Sequence, residues 1–231
     1  MRAGTGRERL RFEGRIAGVG TTSGTRVVLG HWTRSPFGAF SDVMLERPDG
    51  HRLLLAPSRR TADFIAGTYV FDEVRVVPVD VSVTDGTWTV LAGPLELRFT
   101  TGRRSAVGLL LRAAPRPLSA RPVWATAVGL PALLLGVRTH GSAGAGRREW
   151  YGAHDLHLIM SATATYAGEP LGRLARVDPP VGFGFGSTPR TPCLVRVTTT
   201  VEVERGAGDP FTGEANRGAG VRRCRGAARS R

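Results

Sequence analysis

The chain has 231 residues and a formal charge of +13, and all 32 of its basic residues are arginine. That length fits one domain with an appendage, and a body of about 200 residues buries roughly 70% of its unfolded surface, so it needs no staples. Two cysteines, Cys193 and Cys224, exclude a disulfide framework, and the start, Met1 to Arg11, lacks the apolar run of a signal peptide.

The charge resembles a nucleic-acid footprint, but its residue usage and location weaken that reading. Lys and Gln are absent and Asn occurs once, at Asn216, a bias that a GC-rich genome produces without selection for any partner. Much of the excess lies at the ends: residues 206–231 hold six Arg against Asp209 and Glu214, and residues 1–15 hold five against Glu8 and Glu13. Gly at 31 and Pro at 15 favour many turns between short strands.

Taken in order, residues 1–11 are expected to be flexible and the globular domain to begin at 12. Asp42–Glu46 and His51–Leu55 flank Arg47-Pro48-Asp49-Gly50, a spacer with Pro and Gly placed for a tight turn, which predicts a hairpin. Ser58 is suited to cap a short helix through Ala66, with Ala62, Ile65 and Ala66 on one face. Val74, Val76, Val79, Val81 and Val83 lead through Asp85-Gly86 to Trp88 and Val90, a second hairpin. Pro78 has no amide to donate and marks an edge or a bulge there. Leu95, Leu97 and Phe99 alternate with Glu96 and Arg98 and predict a strand with one dry face.

Val123–Val137 is the most apolar stretch. At about 15 residues it falls short of the ~20 a membrane helix needs, so no span is expected and a buried helix over about 122–130 is. Gly141–Gly146 reads as a flexible loop. Leu156, Leu158, Met160, Ala162 and Ala164 predict the dry face of another strand, and Val195–Val203 alternates with polar residues in the clearest strand of all. Residues 206–231 are Gly, Ala and Arg with few apolar side chains and are expected to be a disordered tail. These elements predict a mainly β domain over 12–205, an antiparallel barrel or sandwich with one or two short helices.

Four segments carry candidate chemistry. Phe37 and Phe40 lie in a Gly/aromatic loop opening onto a strand, where pocket rims form. Arg148, Glu149, Trp150, Tyr151, His154 and His157 make the chemically densest stretch. Two histidines three apart share a face on a helix but not on a strand, so neither a metal centre nor a cofactor is expected, although acid–base or metal use of His154, His157 and Glu149 is an alternative. Phe183 and Phe185 alternate with glycines in G-x-G-x-G spacing, which is not the dinucleotide pattern and predicts one face of a strand. Cys193 reads as a buried small hydrophobe.

Two resemblances accompany these residues. Gly38–Met44 and Gly146–Ala153 resemble segments of a group of proteins from high-GC, actinomycete-type bacteria; that likeness spans most of residues 12–204 and implies no particular activity. Arg148-Glu149-Trp150-Tyr151-Gly152 is similar to the G-R-E-x-x-G stretch of the acetoacetate decarboxylase-like family, which implies an antiparallel β fold around a central cavity. That family continues with Pro-Lys, the lysine forming a Schiff base with a ketone. Here His154 and Asp155 hold those positions and the chain has no lysine, so the resemblance implies a cavity without its nucleophile.

The expectation is therefore a cytoplasmic β protein holding a small, partly apolar or anionic molecule, with Schiff-base lysine chemistry excluded and enzymatic use of His154, His157 or Glu149 left open. Arg148, Glu149, His154 and His157 are expected at the mouth of its cavity. Weak, sequence-independent binding of nucleic acid or another acidic partner through the arginine tail is the alternative.

Overall fold

The computed structural model describes residues 7–104, 106, 108, 109, 140–142, 148–184 and 188–204. Strands dominate them: β1 (Arg7–Thr21), β2 (Arg26–Arg34), β3 (Phe40–Glu46), β4 (Arg52–Ala56), β5 (Glu73–Val76), β6 (Val79–Thr84), β7 (Thr87–Ala92), β8 (Leu95–Arg104), β9 (His140–Ser142), β10 (Arg148–Tyr166), β11 (Glu169–Ala175) and β12 (Cys193–Glu204). Helix α1 (Arg59–Ala66) lies between β4 and β5. The strands form one sheet of order β5-β4-β3-β2-β1-β11-β10-β8-β7-β6, with β12 pairing β1 and β10 and β9 pairing β10. The result is a mainly β, barrel-like architecture. All pairs are antiparallel except β4 with β5, where α1 provides the crossover a parallel pair requires.

The sheet carries apolar side chains on both faces. In β1 the first half alternates, whereas every residue from Ile16 to Thr21 is buried. Ala17, Val19, Leu29, Val43, Leu53 and Leu55 face the main core, where Trp88 stacks on its cross-strand partner Phe99 at 5.7 Å. Their neighbours Leu10, Phe12, Ile16, Val28 and Leu54 face the other way, toward α1 and the segment around Val181–Phe183. Each fully buried Leu, Val or Phe contributes roughly 1.5–3 kcal/mol, which sets register strand by strand.

Both hairpins form: β3 pairs β4 across Arg47–Gly50, and β6 pairs β7 across Asp85 and Gly86, whose φ values of 49° and 76° suit a type I′ turn. The valine run 74–83 is not one strand. It breaks before Pro78 into β5 and β6, which occupy opposite ends of the sheet order, so the residue lacking an amide falls where no ladder bond is needed. Strand β1 starts at Arg7, inside the stretch expected to be flexible, because Arg7–Arg11 pair with Thr200–Glu204 of β12 and Glu202 accepts from Arg7 and Arg9.

α1 forms as its cap predicts. Ser58 Oγ accepts from the Thr61 amide at 3.2 Å and Thr61 Oγ1 from the Ser58 amide at 3.2 Å. The buried stripe is Thr61, Ala62, Phe64 and Ile65; Ala66, expected on it, is exposed. In β10 the dry phase breaks at register shifts between His157 and Ser161, so Ile159 is buried and Met160 is 65% exposed, the reverse of the predicted alternation. Gly141 and Ser142 belong to β9 rather than to a loop. The expected helix at 122–130, residues 143–147 and the tail lie outside the described residues. Among the described residues no helix is long and apolar enough to cross a membrane.

Candidate functional site

A cavity of about 60 Å³ lies on the face opposite the main core. Its floor is β1, β2, β3, β12 and the start of β10; its cover is α1, Tyr69 and the Val181–Phe183 segment. That segment is held down by three hydrogen bonds. The Gly182 amide donates to Glu46 Oε2 at 2.5 Å, the Val70 amide to the Phe183 carbonyl at 2.8 Å, and Arg52 Nη1 to the Gly182 carbonyl at 3.3 Å. Glu46 is anchored in turn by Arg26, 2.8 Å away and itself buried.

The cavity wall is apolar and aromatic apart from two carboxyl groups and two threonines, with tyrosine hydroxyls at one end. Asp42 of β3 is 1% exposed. Its Oδ1 accepts from Trp32 Nε1 at 2.9 Å, and its Oδ2 has no hydrogen-bond partner among the described residues. Burial pushes its carboxyl up to about 7, against the opposing pull of the indole N–H. Glu149 of β10 is 3% exposed and accepts from the Tyr69 hydroxyl on both oxygens, at 2.9 and 2.8 Å; that hydroxyl lies 2.5 Å from the Tyr151 hydroxyl. Burial pushes Glu149 to about 7 as well, with the two tyrosines opposing. Tyr69 is driven well above its ordinary value by burial first and then by the Glu149 charge. Thr199 Oγ1, 2% exposed as a residue, is a second buried polar atom of this wall without a partner among the described residues. No Arg or His is among the described residues of this wall.

Gly30 makes the polar end of the cavity possible. A Cβ there would meet Asp42 Oδ1 at 2.5 Å and Trp32 Nε1 at 2.7 Å, so only a bare Cα lets these two side chains meet across it.

The structure divides the residues singled out in the sequence. Phe40, Glu149, Tyr151 and Phe183 line the cavity. Phe37 packs behind it, with ring centroids 5.0 Å from Phe64 and 6.1 Å from Phe12. Trp150 alternates with Glu149 and Tyr151 along β10 and is not part of the wall. Phe183 sits in an irregular segment, not on a strand, because the segment crosses the cavity instead of pairing. Phe185 and the side chain of Arg148 lie outside the described residues. Asp42, Trp32, Tyr69 and Thr199 were not singled out. Asp42 had a signal: it shares the period-2 phase of Phe40 and Met44, a carboxylate among apolar neighbours. Tyr69 and Thr199 had none, since only tertiary packing brings them to the wall.

The two histidines are not at this cavity's mouth. His154 occupies a register shift in β10, where Nε2 lies 2.8 Å from Thr198 Oγ1. It borders a polar groove of about 310 Å³ with Arg11, Glu13, Arg15 and Arg196. Arg15 stands directly opposite Arg196 in the ladder, a like-charge pairing that costs stability unless an anion screens it. His157 instead donates from Nδ1 to the Gly102 carbonyl at 3.2 Å. Asp155 takes Arg104 Nε at 2.7 Å and lies 3.6 Å from His157, and Arg104 holds its carboxyl low despite partial burial. Asp155 therefore serves Arg104 and His157. Cys193 is buried, which pushes its thiol up to about 12. Among the described residues no three His, Cys, Asp or Glu side chains gather as metal ligands.

No family model and no curated protein matches the chain. Among solved structures it is similar to acetoacetate decarboxylase from Legionella pneumophila, with 9% identity over 88% of this chain and 87% of that one at a TM-score of 0.42. It is also similar to a protein assigned as AttH from Nitrosomonas europaea, with 13% identity over 79% of this chain and 38% of that one at a TM-score of 0.30. Neither likeness transfers a residue role to this chain.

Proposed function

We propose that the chain binds a small, largely apolar molecule in the cavity beneath α1 and the Val181–Phe183 segment. The observation that carries this reading is an aromatic wall holding two buried polar atoms, Asp42 Oδ2 and Thr199 Oγ1, without partners among the described residues. Burying an unpartnered polar group costs about 1–3 kcal/mol, and convergent polar groups in an apolar pocket are what fixes a ligand's orientation. Native mass spectrometry of the full chain, compared with its denatured mass, tests it. A discrete adduct is expected, and Val181→Trp, which fills the cavity from its cover, should abolish it. A bare mass together with no thermal shift on adding alkanols would sink the reading.

The anionic half of the sequence expectation does not suit this cavity, whose wall carries two carboxyls. A second reading places an anion in the polar groove, favoured by the opposed pair Arg15 and Arg196 with Arg11 and His154 beside them. Inorganic phosphate should then raise the melting temperature more than chloride at equal ionic strength, and Arg196→Thr should remove the difference. Binding of acidic partners through the tail, which lies outside the described residues, rests on its charge alone.

A further inference from the structure

The cavity wall has a chemical bias that narrows its occupant. Aromatic side chains of Phe12, Trp32, Phe40, Phe64, Tyr151 and Phe183 surround the same space as the two carboxyls, and no Arg or His is among the described residues lining it. Aromatic rings attract cations over their faces through the ring quadrupole, most strongly where water is excluded. A buried carboxylate beside them is stabilised by a positive charge that also donates hydrogen bonds. Asp42 fits that demand: it is a residue of the wall, Trp32 Nε1 fixes its Oδ1, and its buried Oδ2 and the buried Thr199 Oγ1 have no partner among the described residues. Glu149 differs, because both of its oxygens already lie within hydrogen-bond distance of the Tyr69 hydroxyl.

Resting on the small-molecule reading above, we infer that the ligand is a primary alkyl- or arylalkylamine bound as its ammonium ion, with its N–H donors on Asp42 Oδ2 and Thr199 Oγ1 and its apolar tail among the aromatic rings. A primary ammonium brings three donors, no acceptor and a positive charge, so it compensates the Asp42 carboxylate as well as bonding it, whereas an alcohol can donate to Asp42 and accept from the Thr199 hydroxyl but leaves the buried charge unbalanced. A carboxylate of equal length would face two acidic groups without a counter-charge. The modest size of the cavity favours short or flat tails.

The charge state of Asp42 gives the inference a signature in the unaltered protein. The titratable groups around the cavity are Glu149 and Tyr151 from β10 and Tyr69 after α1; the lining residues of β1, β2, β12, α1 and the Val181–Phe183 segment include none. Ammonium binding strengthens as Asp42 ionises, whereas alcohol binding lacks that gain.

Calorimetric titration of the full chain with n-butyl, n-hexyl and n-octyl amines, alcohols and carboxylates of matched length tests it. At pH 8 the best amine should bind at least about tenfold more tightly than its alcohol, a difference of about 1.4 kcal/mol. That ratio should fall toward one at pH 5 and also in Asp42→Asn. Carboxylates should bind weakest. An amine no tighter than its alcohol at pH 8, or a preference indifferent to pH, overturns the inference while alcohol binding leaves the small-molecule reading standing. If none of the probes binds, both fall together.

Discussion

At the residue scale the cavity depends on what is missing from one position as much as on what is present at others. Gly30 lies between two side chains whose hydrogen bond fixes the acidic end, and a methyl group there overlaps both partners. Gly30→Ala must therefore break the Trp32–Asp42 bond or displace β2 from β3. Overpacking of this kind typically costs 1–3 kcal/mol, and urea denaturation should show a loss of about that size together with weaker binding in the cavity. Unchanged stability would mean that the strands part at no cost, contrary to a register in which Gly30 stands directly opposite Asp42. Tyr69 works by the same logic at the other end, since its hydroxyl sits on both oxygens of a buried carboxyl.

At the scale of elements, what covers the site is fastened by charge. Glu46, at the end of β3, joins buried Arg26 to the Gly182 amide and so pins an irregular segment over the cavity. Removing one partner of a buried ion pair costs about 3–5 kcal/mol, because the other charge stays buried. Glu46→Gln should therefore destabilise the fold by roughly that amount. Hydrogen exchange should also accelerate at Gly182 and at Val70, whose amide donates to Phe183, while central β2 amides keep most of their protection. Equal acceleration at both places would instead mean global loosening. Elements were also the scale at which the sequence spoke most clearly. The hairpins at 47–50 and 85–86, the Ser58 cap and the alternation of β12 all declare themselves locally, through turn residues, a capping side chain and a period of two. What escaped were events set by distant partners. Pro78 divides a valine run between two ends of the sheet, and the register shifts between His157 and Ser161 in β10 turn Met160 outward. Nothing in either segment says which strand it will meet.

For the whole molecule, a sheet buried on both faces places two carboxyls where water does not reach, and folding is thereby coupled to pH. Glu149 and Tyr151 were legible as a dense polar stretch, but Asp42, Tyr69 and Thr199 come from three other parts of the chain and meet only when the sheet closes. The consequence has a definite sign. Asp42 and Glu149 have ordinary values of 3.8 and 4.5 and are raised to about 7 in the native state. Between about pH 4 and pH 7 the native chain keeps protons that the unfolded chain has lost, so their contribution to stability falls as pH rises through that window and levels off above it. Asp72, Glu73 and Asp155, all held low, act in the opposite sense below about pH 4, where acid removes their contribution. His31 is lowered by burial and by Arg15, so acid below its ordinary 6.5 costs stability and offsets part of the carboxyl effect. Asp42→Asn isolates one term, because the amide oxygen can still accept from Trp32 while no proton is exchanged. The variant should gain on the parent progressively from pH 4 to pH 7, reaching a few kcal/mol, and hold that gain above. Denaturation curves across the range decide the matter: a gain that does not grow with pH would mean that Asp42 ionises in the fold as it does in water, and that the cavity is wetter than its walls imply.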